Sequence, residues 1–203
     1  LWSLGKRTIG SGVAVTMPLS SDEYKAAFHY TLQPSVSPLG FLTAELSQDK
    51  AFELPLGTAR FFVDDALVGV QPLSVNGNKA TLFFGSDPLV SATMTDRKRS
   101  SGETGFINKE QSVLWDWEIT VRNGRSRPVA AIVQDPFPDP RNDAVKITAE
   151  SKPIPEQTTS SAQLGGVKVY SWKLTLNPGE SQTILHKVQV LAPADKRLGP
   201  GRM

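Results

Sequence analysis

Residues 113–133 read VLWDWEITVRNGRSRPVAAIV, and the fold class turns on this stretch. Val113, Trp115, Trp117, Ile119 and Val121 alternate with Leu114, Asp116, Glu118, Thr120 and Arg122, the period of a pleated strand that buries both tryptophans on one face. Asn123-Gly124 suits the positive φ angles of a tight reversal, and residues 129–133 supply a β-branched return segment. The stretch therefore predicts a β-hairpin with an aromatic face, which implies an architecture and no chemistry.

The same alternation continues downstream. Val145, Ile147 and Ala149 predict one strand, Tyr170, Trp172, Leu174 and Leu176 a second, and Ile184, His186, Val188 and Val190 a third. Asn177-Pro178-Gly179-Glu180 is a turn signal, the prolines between Asp135 and Asp143 predict an irregular crossing, and residues 152–166 read as a long polar connection. The strand number and turn spacing predict an immunoglobulin-like antiparallel β-sandwich over residues 108–193, without its cysteine pair, followed by a disordered tail at 194–203.

Upstream, residues 13–19, 28–32, 41–46, 58–63, 67–70, 81–84 and 90–95 read as short strands, an irregular β module spanning 1–107. Asp64-Asp65 closes one strand, Asn76-Gly77-Asn78 predicts a hairpin turn, and Gly85-Ser86-Asp87-Pro88 predicts a break. Ser20-Ser21-Asp22-Glu23 has the spacing of a helix cap, sufficient for one helical turn at most. Residues 97–105, RKRSSGETG, lack large apolar side chains and predict a mobile loop at a domain boundary near Asn108. The class as a whole is all-β.

Composition narrows the function. The 203 residues contain no cysteine, which excludes disulfides and thiolate chemistry, and only His29 and His186 supply imidazole. A net charge of +2 from 22 basic and 20 acidic residues gives no broad field for nucleic acid. No apolar run approaches the ~20 residues of a membrane-spanning helix. Leu1-Trp2-Ser3 opens without a methionine or an export signal, so the reading expects a processed or excised piece of a longer protein.

The polar residues that could carry chemistry each have a simpler account. Arg97-Lys98-Arg99 reads as a solvated turn. His186 lies on the apolar face of a strand, as a core imidazole with one hydrogen bond does. Asp135, Asp139 and Asp143 could offer oxygen to calcium, yet their spacing matches no calcium loop and suits turn caps. Asp64-Asp65 with Asp87 could form a carboxylate pair for glycoside hydrolysis, yet turn aspartates are the better account of them. The reading assigns no catalytic residue, no cofactor and no metal.

Five segments resemble the C-terminal domain of the mucoidy inhibitor A family: VAVTMPLSSDEYKAAFHYTLQPSVSPLGFLTAEL, LPLGTARFFVDDALVGVQPL, LFFGSDPLV, WEITVRNGRSRPVAAIVQDPFP and YSWKLTLNPGESQTILHKVQVLAP. The resemblance covers nearly the whole chain. It implies a bacterial domain of unknown function that usually follows a smaller β domain and a coiled coil, often in an exported protein with an influence on mucoid growth. It supplies no catalytic residues. The chain departs from the family pattern at Asp135–Asp143, and at His186, where an aromatic is expected.

These readings predict a non-enzymatic interaction module of an exported, periplasmic or cell-envelope bacterial protein, with a protein partner. A carbohydrate-binding module is the alternative, carried by four tryptophans, of which Trp115, Trp117 and Trp172 would have to be exposed beside Trp2. A glycan-acting enzyme is the third reading, and needs a cleft joining Asp64 or Asp87 to another acid.

Overall fold

A computed structural model describes residues 5–12, 14–104, 110–138, 143–159 and 167–194. Among them there is no helix, and the strands are β1 (Ala26–Leu32), β2 (Leu39–Val63), β3 (Ala66–Thr104), β4 (Glu110–Asn123), β5 (Val129–Pro136), β6 (Lys146–Lys152), β7 (Glu156–Thr159), β8 (Lys168–Leu176) and β9 (Ser181–Pro193). They form one mixed sheet in the order β6-β9-β4-β3-β2-β1-β5-β8-β7. Every neighbouring pair is antiparallel except β1 with β5.

The two edges of this sheet, β6 and β7, are joined by only Pro153-Ile154-Pro155. So short a link spans about 10 Å, the separation of two packed sheets, so the sheet has to double over on itself. β4 and β9 thereby face β5 and β8. Their apolar faces meet in a core that includes Trp117, Ile119 and Ile184 from one side and Val133, Tyr170 and Trp172 from the other. The crossing is pinned where the Trp172 indole Nε1 donates to the Pro153 carbonyl at 2.9 Å. β3 is long enough to serve both layers, pairing with β2 as far as Ser91 and with β4 from Val90 onward.

Residues 113–133 do form two strands, but they do not form a hairpin. β4 lies between β3 and β9, whereas β5 lies between β1 and β8, and residues 124–128 step from one layer to the other. Residues 177–180 make a second such step, from β8 to β9. Both steps are held by Asn123, fully buried, whose side-chain Nδ2 donates to the carbonyls of Arg127, Leu176 and Asn177 at 2.9–3.1 Å. Its Oδ1 accepts from the Arg125 backbone N–H. Gly124 is needed for close approach rather than for a left-handed φ: its N–H donates to Leu89 O at 2.6 Å, and a Cβ would stand 2.9 Å from that oxygen. Asn123→Ala is expected to cost about 2–4 kcal/mol, because it strands several buried carbonyls at once. The midpoint of urea unfolding measures this; a change below 0.5 kcal/mol would show that the two steps are held by other contacts.

The sandwich expected for residues 108–193 takes a different form. β4 pairs with β3 along residues 90–104, and Tyr30, Thr31 and Leu32 of β1 run parallel to Ala131, Ile132 and Val133 of β5. Strands from both sides of Asn108 therefore share one sheet and one core, in which Tyr30 and Leu32 of β1 and Val90 and Ala92 of β3 lie with Trp117 and Trp172. Residues 97–104, expected as a mobile loop, are the end of β3, with Lys98 opposite Asp116 and Arg99 opposite Trp115. A strand whose backbone is satisfied by its neighbour does not require large apolar side chains of its own.

Four local expectations also change. Residues 14–19 form no strand, and Val15 and Leu19 are exposed. Asn76-Gly77-Asn78 does not reverse the chain; Gly77, at φ 131°, sits opposite Phe52 beside a register shift within the β2–β3 pairing. The short edge strand β7 occupies part of residues 152–166, read as a long polar connection. Ser20-Ser21-Asp22-Glu23 makes no helical turn, and its Ser20 hydroxyl donates to Asp22. Trp2, Asp139 and the tail from 195 lie outside the described residues.

Candidate functional site

β2 and β3 form a ribbon far longer than the sheet requires. It reverses at Asp64-Asp65, whose φ angles of 49° and 63° are left-handed, a conformation that aspartate tolerates better than most residues. Register shifts between Ser47 and Phe52 and between Leu54 and Gly57 bend the ribbon, so its tip folds back over its own base. The return is sealed by Phe61, whose ring meets Phe84 edge-on at 5.0 Å, and by Gln71, whose Nε2 donates to Phe83 O at 3.0 Å. Backbone lies against backbone here. Gly85 has φ 101°, and a Cβ on it would stand 2.8 Å from Val68 O, so only glycine suits this position.

The folded-back tip leaves an open cleft of about 360 Å³. Phe62, Val63 and Asp64 of the tip form one wall, and Arg127, Pro128 and Ala130 at the start of β5 form the other. Tyr30, Leu42 and Phe84 lie deeper, and Phe28 adds a ring 6.1 Å from Phe84. Phe28 and Phe62 remain 56% and 55% exposed, although aromatic side chains of this size are normally covered. Strand alternation explains the pair Phe61-Phe62: one ring turns inward to Phe84 and the next turns out.

A buried polar cluster stiffens the wall behind the cleft. The Tyr30 hydroxyl donates to Asp87 Oδ2 at 2.8 Å, Arg125 Nε donates to the same oxygen at 2.6 Å, and the Leu89 N–H donates to Oδ1 at 3.0 Å. Burial by itself would raise the Asp87 pKa, but these hydrogen bonds outweigh it and hold the carboxyl below its ordinary value. Burial, reinforced by the hydrogen bond to Asp87, raises the Tyr30 pKa, so the phenol stays protonated. A depressed folded pKa means that Asp87 contributes its stability fully above the unfolded carboxyl range, about pH 4, and loses it as the pH falls through the lower folded value. Asp87→Asn is expected to flatten the fall in stability as the pH drops below about 4. Denaturant titrations at stepped pH check this, and an unchanged slope would locate the acid sensitivity elsewhere.

Arg127 stands two residues beyond Arg125 and differs from it. It is exposed, and among the described residues no carboxylate pairs with it. Its field reaches the cleft, since both Arg125 and Arg127 act on the Tyr30 hydroxyl. Arg127 carries no sequence signal beyond its place in a turn, and neither did Phe28 or Phe62 beyond strand alternation.

Among the described residues weighed from sequence, Asp64 alone borders the cleft. Asp64 lines the cleft at its turn, whereas Asp87 is committed to Arg125 and Tyr30 with a lowered pKa, the opposite of what a general acid for glycoside hydrolysis needs. Asp135 points into the core, where its Oδ2 lies 3.7 Å from His186 Nε2, and Asp143 is exposed in a turn. Among the described residues no group of three acidic or imidazole side chains is placed to hold a metal ion. His29, on β1, has its pKa lowered by burial.

His186 is fully buried, as its strand pattern predicts. It stacks on Trp117 at 5.7 Å and meets Tyr170 and Trp172 edge-on at 4.8 and 5.1 Å. Its Nδ1 is 2.6 Å from the hydroxyl of Ser151, its direct cross-strand partner. Ser151, His186 and Asp135 thus contain the members of a serine relay, with Ser151 on a shallow groove beside Arg97, Asp116 and Lys187. The same arrangement is how a buried imidazole on an apolar face obtains its hydrogen bond.

The family described as Domain of unknown function (DUF4139) matches residues 1–194. The chain belongs to this family. No curated protein and no solved structure matches the DUF4139 chain. No helix among the described residues of the domain is long and apolar enough to cross a membrane.

Proposed function

We propose that this DUF4139 domain is a non-enzymatic interaction module of an exported bacterial cell-envelope protein, and that its partner is a protein met at the β2–β3 arm. The observation that carries this is the outer face of the folded-back tip. Leu56 is 77% exposed there, and Phe62, Leu67 and Val70 are each 55% exposed. Phe62, at the mouth of the cleft, is the direct cross-strand partner of Leu67, so an apolar stripe runs from the cleft edge across Leu67 toward Val70, which lies opposite Arg60. An apolar stripe rimmed by polar residues is the usual mark of a protein-binding surface. Export and the envelope rest on the resemblance to the mucoidy inhibitor A family. The face-to-face layers are the feature shared with immunoglobulin-like interaction domains, by analogy of architecture only.

The carbohydrate reading keeps little sequence support, because Trp117 and Trp172 are buried and Trp115 is half-buried, while Trp2 lies outside the described residues. A hydrolase is the second reading, favoured by the Ser151–His186–Asp135 arrangement. Two experiments separate the readings. A photo-crosslinking residue at Leu67 is expected to give one discrete adduct in producing cells, absent from a control at exposed Thr175 and lost in the Val70→Ser background. Equal labelling at both positions, or none at Leu67, rejects the arm as the interface. Covalent capture of Ser151 by a fluorophosphonate, with ester turnover that disappears in Ser151→Ala, would replace binding by catalysis.

A further inference from the structure

We infer that the cleft under the folded tip takes one large apolar side chain from an extended, acidic segment of the partner protein, with a neighbouring carboxylate pairing with Arg127. This rests on the interaction reading above and adds the chemistry of what is recognised. The cleft's volume of about 360 Å³ is near the lower end for small-ligand sites, room for a side chain or two rather than for a long acyl chain. Its opening is bordered by two half-exposed rings, Phe28 and Phe62, while Tyr30 and Leu42 behind them are buried, so an apolar group entering it completes burial that the free protein leaves unfinished.

Charge supplies the direction. Arg125 is consumed by Asp87, but Arg127 on the β5 wall meets no carboxylate among the described residues. Asp64 sits on the opposite, tip wall and repels a second acid from that side. A carboxylate next to the inserted side chain therefore binds toward β5, and a basic flank faces Arg127 unfavourably. The rear wall is fixed by the Tyr30–Asp87–Arg125 cluster, while the front wall hangs from a two-residue turn. An extended peptide has the thinness and the alternating side chains to pass between them.

The test is titration of the isotope-labelled full chain, followed by NMR, with three blocked pentapeptides that each carry one charge: Gly-Asp-Phe-Gly-Gly, Gly-Lys-Phe-Gly-Gly and Gly-Asp-Ala-Gly-Gly. The acidic phenylalanine peptide is expected to shift resonances of Phe28, Phe62 and Arg127, and to bind about fivefold more tightly than the lysine peptide, the scale of one partly exposed ion pair. The alanine peptide is expected to leave the cleft unshifted. Arg127→Gln should keep the fold, because its guanidinium is exposed, and should erase the acidic preference. Phe62→Ser, also at an exposed position, should weaken both phenylalanine peptides about tenfold.

Equal affinity for the acidic and lysine peptides overturns the charge assignment, and shifts confined to residues outside the cleft overturn the site. Dodecanoate that shifts the cleft where no peptide does would assign it to lipid anions and reject the peptide. The Leu67 crosslink reads the interaction on the outer face independently. If that adduct forms while the peptides fail, the cleft assignment falls and the interaction module stands.

Discussion

Residues 108–203 produced without residues 1–107 are expected to be insoluble, or to unfold without a cooperative transition. Removing β1–β3 strips β4 of its partner along one whole edge and strips β5 of its parallel neighbour β1, leaving an open edge in each layer. It also takes Tyr30, Leu32, Val90 and Ala92 from the same core that holds Trp117 and Trp172. Open strand edges above a half-empty core template aggregation rather than folding. Pattern alone argues the contrary, because residues 108–193 contain enough alternating strands for a sandwich of their own. Thermal unfolding of the fragment decides: a single cooperative transition would restore independent folding beyond Asn108.

Trp117→Ala is expected to cost about 3–5 kcal/mol, the range for removing a large core aromatic. Trp117 is 7% exposed, stacks on Trp115 at 6.2 Å and covers one face of His186 at 5.7 Å. Its loss opens a cavity and also uncovers an imidazole held against Asp135, in the region where the two layers meet. Trp115→Ala is expected to cost less, since that ring is half-buried at the outer end of the stack. Denaturant titrations of both variants check the order; equal losses would mean that the stack, rather than core burial, holds this end of the sheet.

Most of the strands were legible because a period of two is a local property. The buried face of β9 follows its alternation closely, with Ile184, His186, Val188 and Val190 inside, whereas in β8 Val169 and Ser171 are buried along with Tyr170 and Trp172, and the Asp64-Asp65 reversal follows from turn chemistry. The end of β3 was not legible. Residues 97–104 have the composition of a loop, and only the presence of β4 beside them satisfies their backbone as a strand. The candidate cleft was not legible either, for it joins Phe28, Phe62 and Arg127 from three separate segments through a fold-back that depends on Gly85 meeting Val68.

The sequence by itself determined that this chain is all-β, where most of its core strands lie and which face of β9 is apolar, because side-chain period and turn residues act between neighbours along the chain. The tertiary structure alone decided which strands pair. Asn123-Gly124 has the same local chemistry whether β5 returns beside β4 or steps across to the opposite layer. The choice is made by Leu89, Leu176 and Asn177, which offer carbonyls to Asn123-Gly124 from positions that become neighbours only when the sheet doubles over. Pairing energies of this kind come from residues distant in sequence, so no window along the chain contains them.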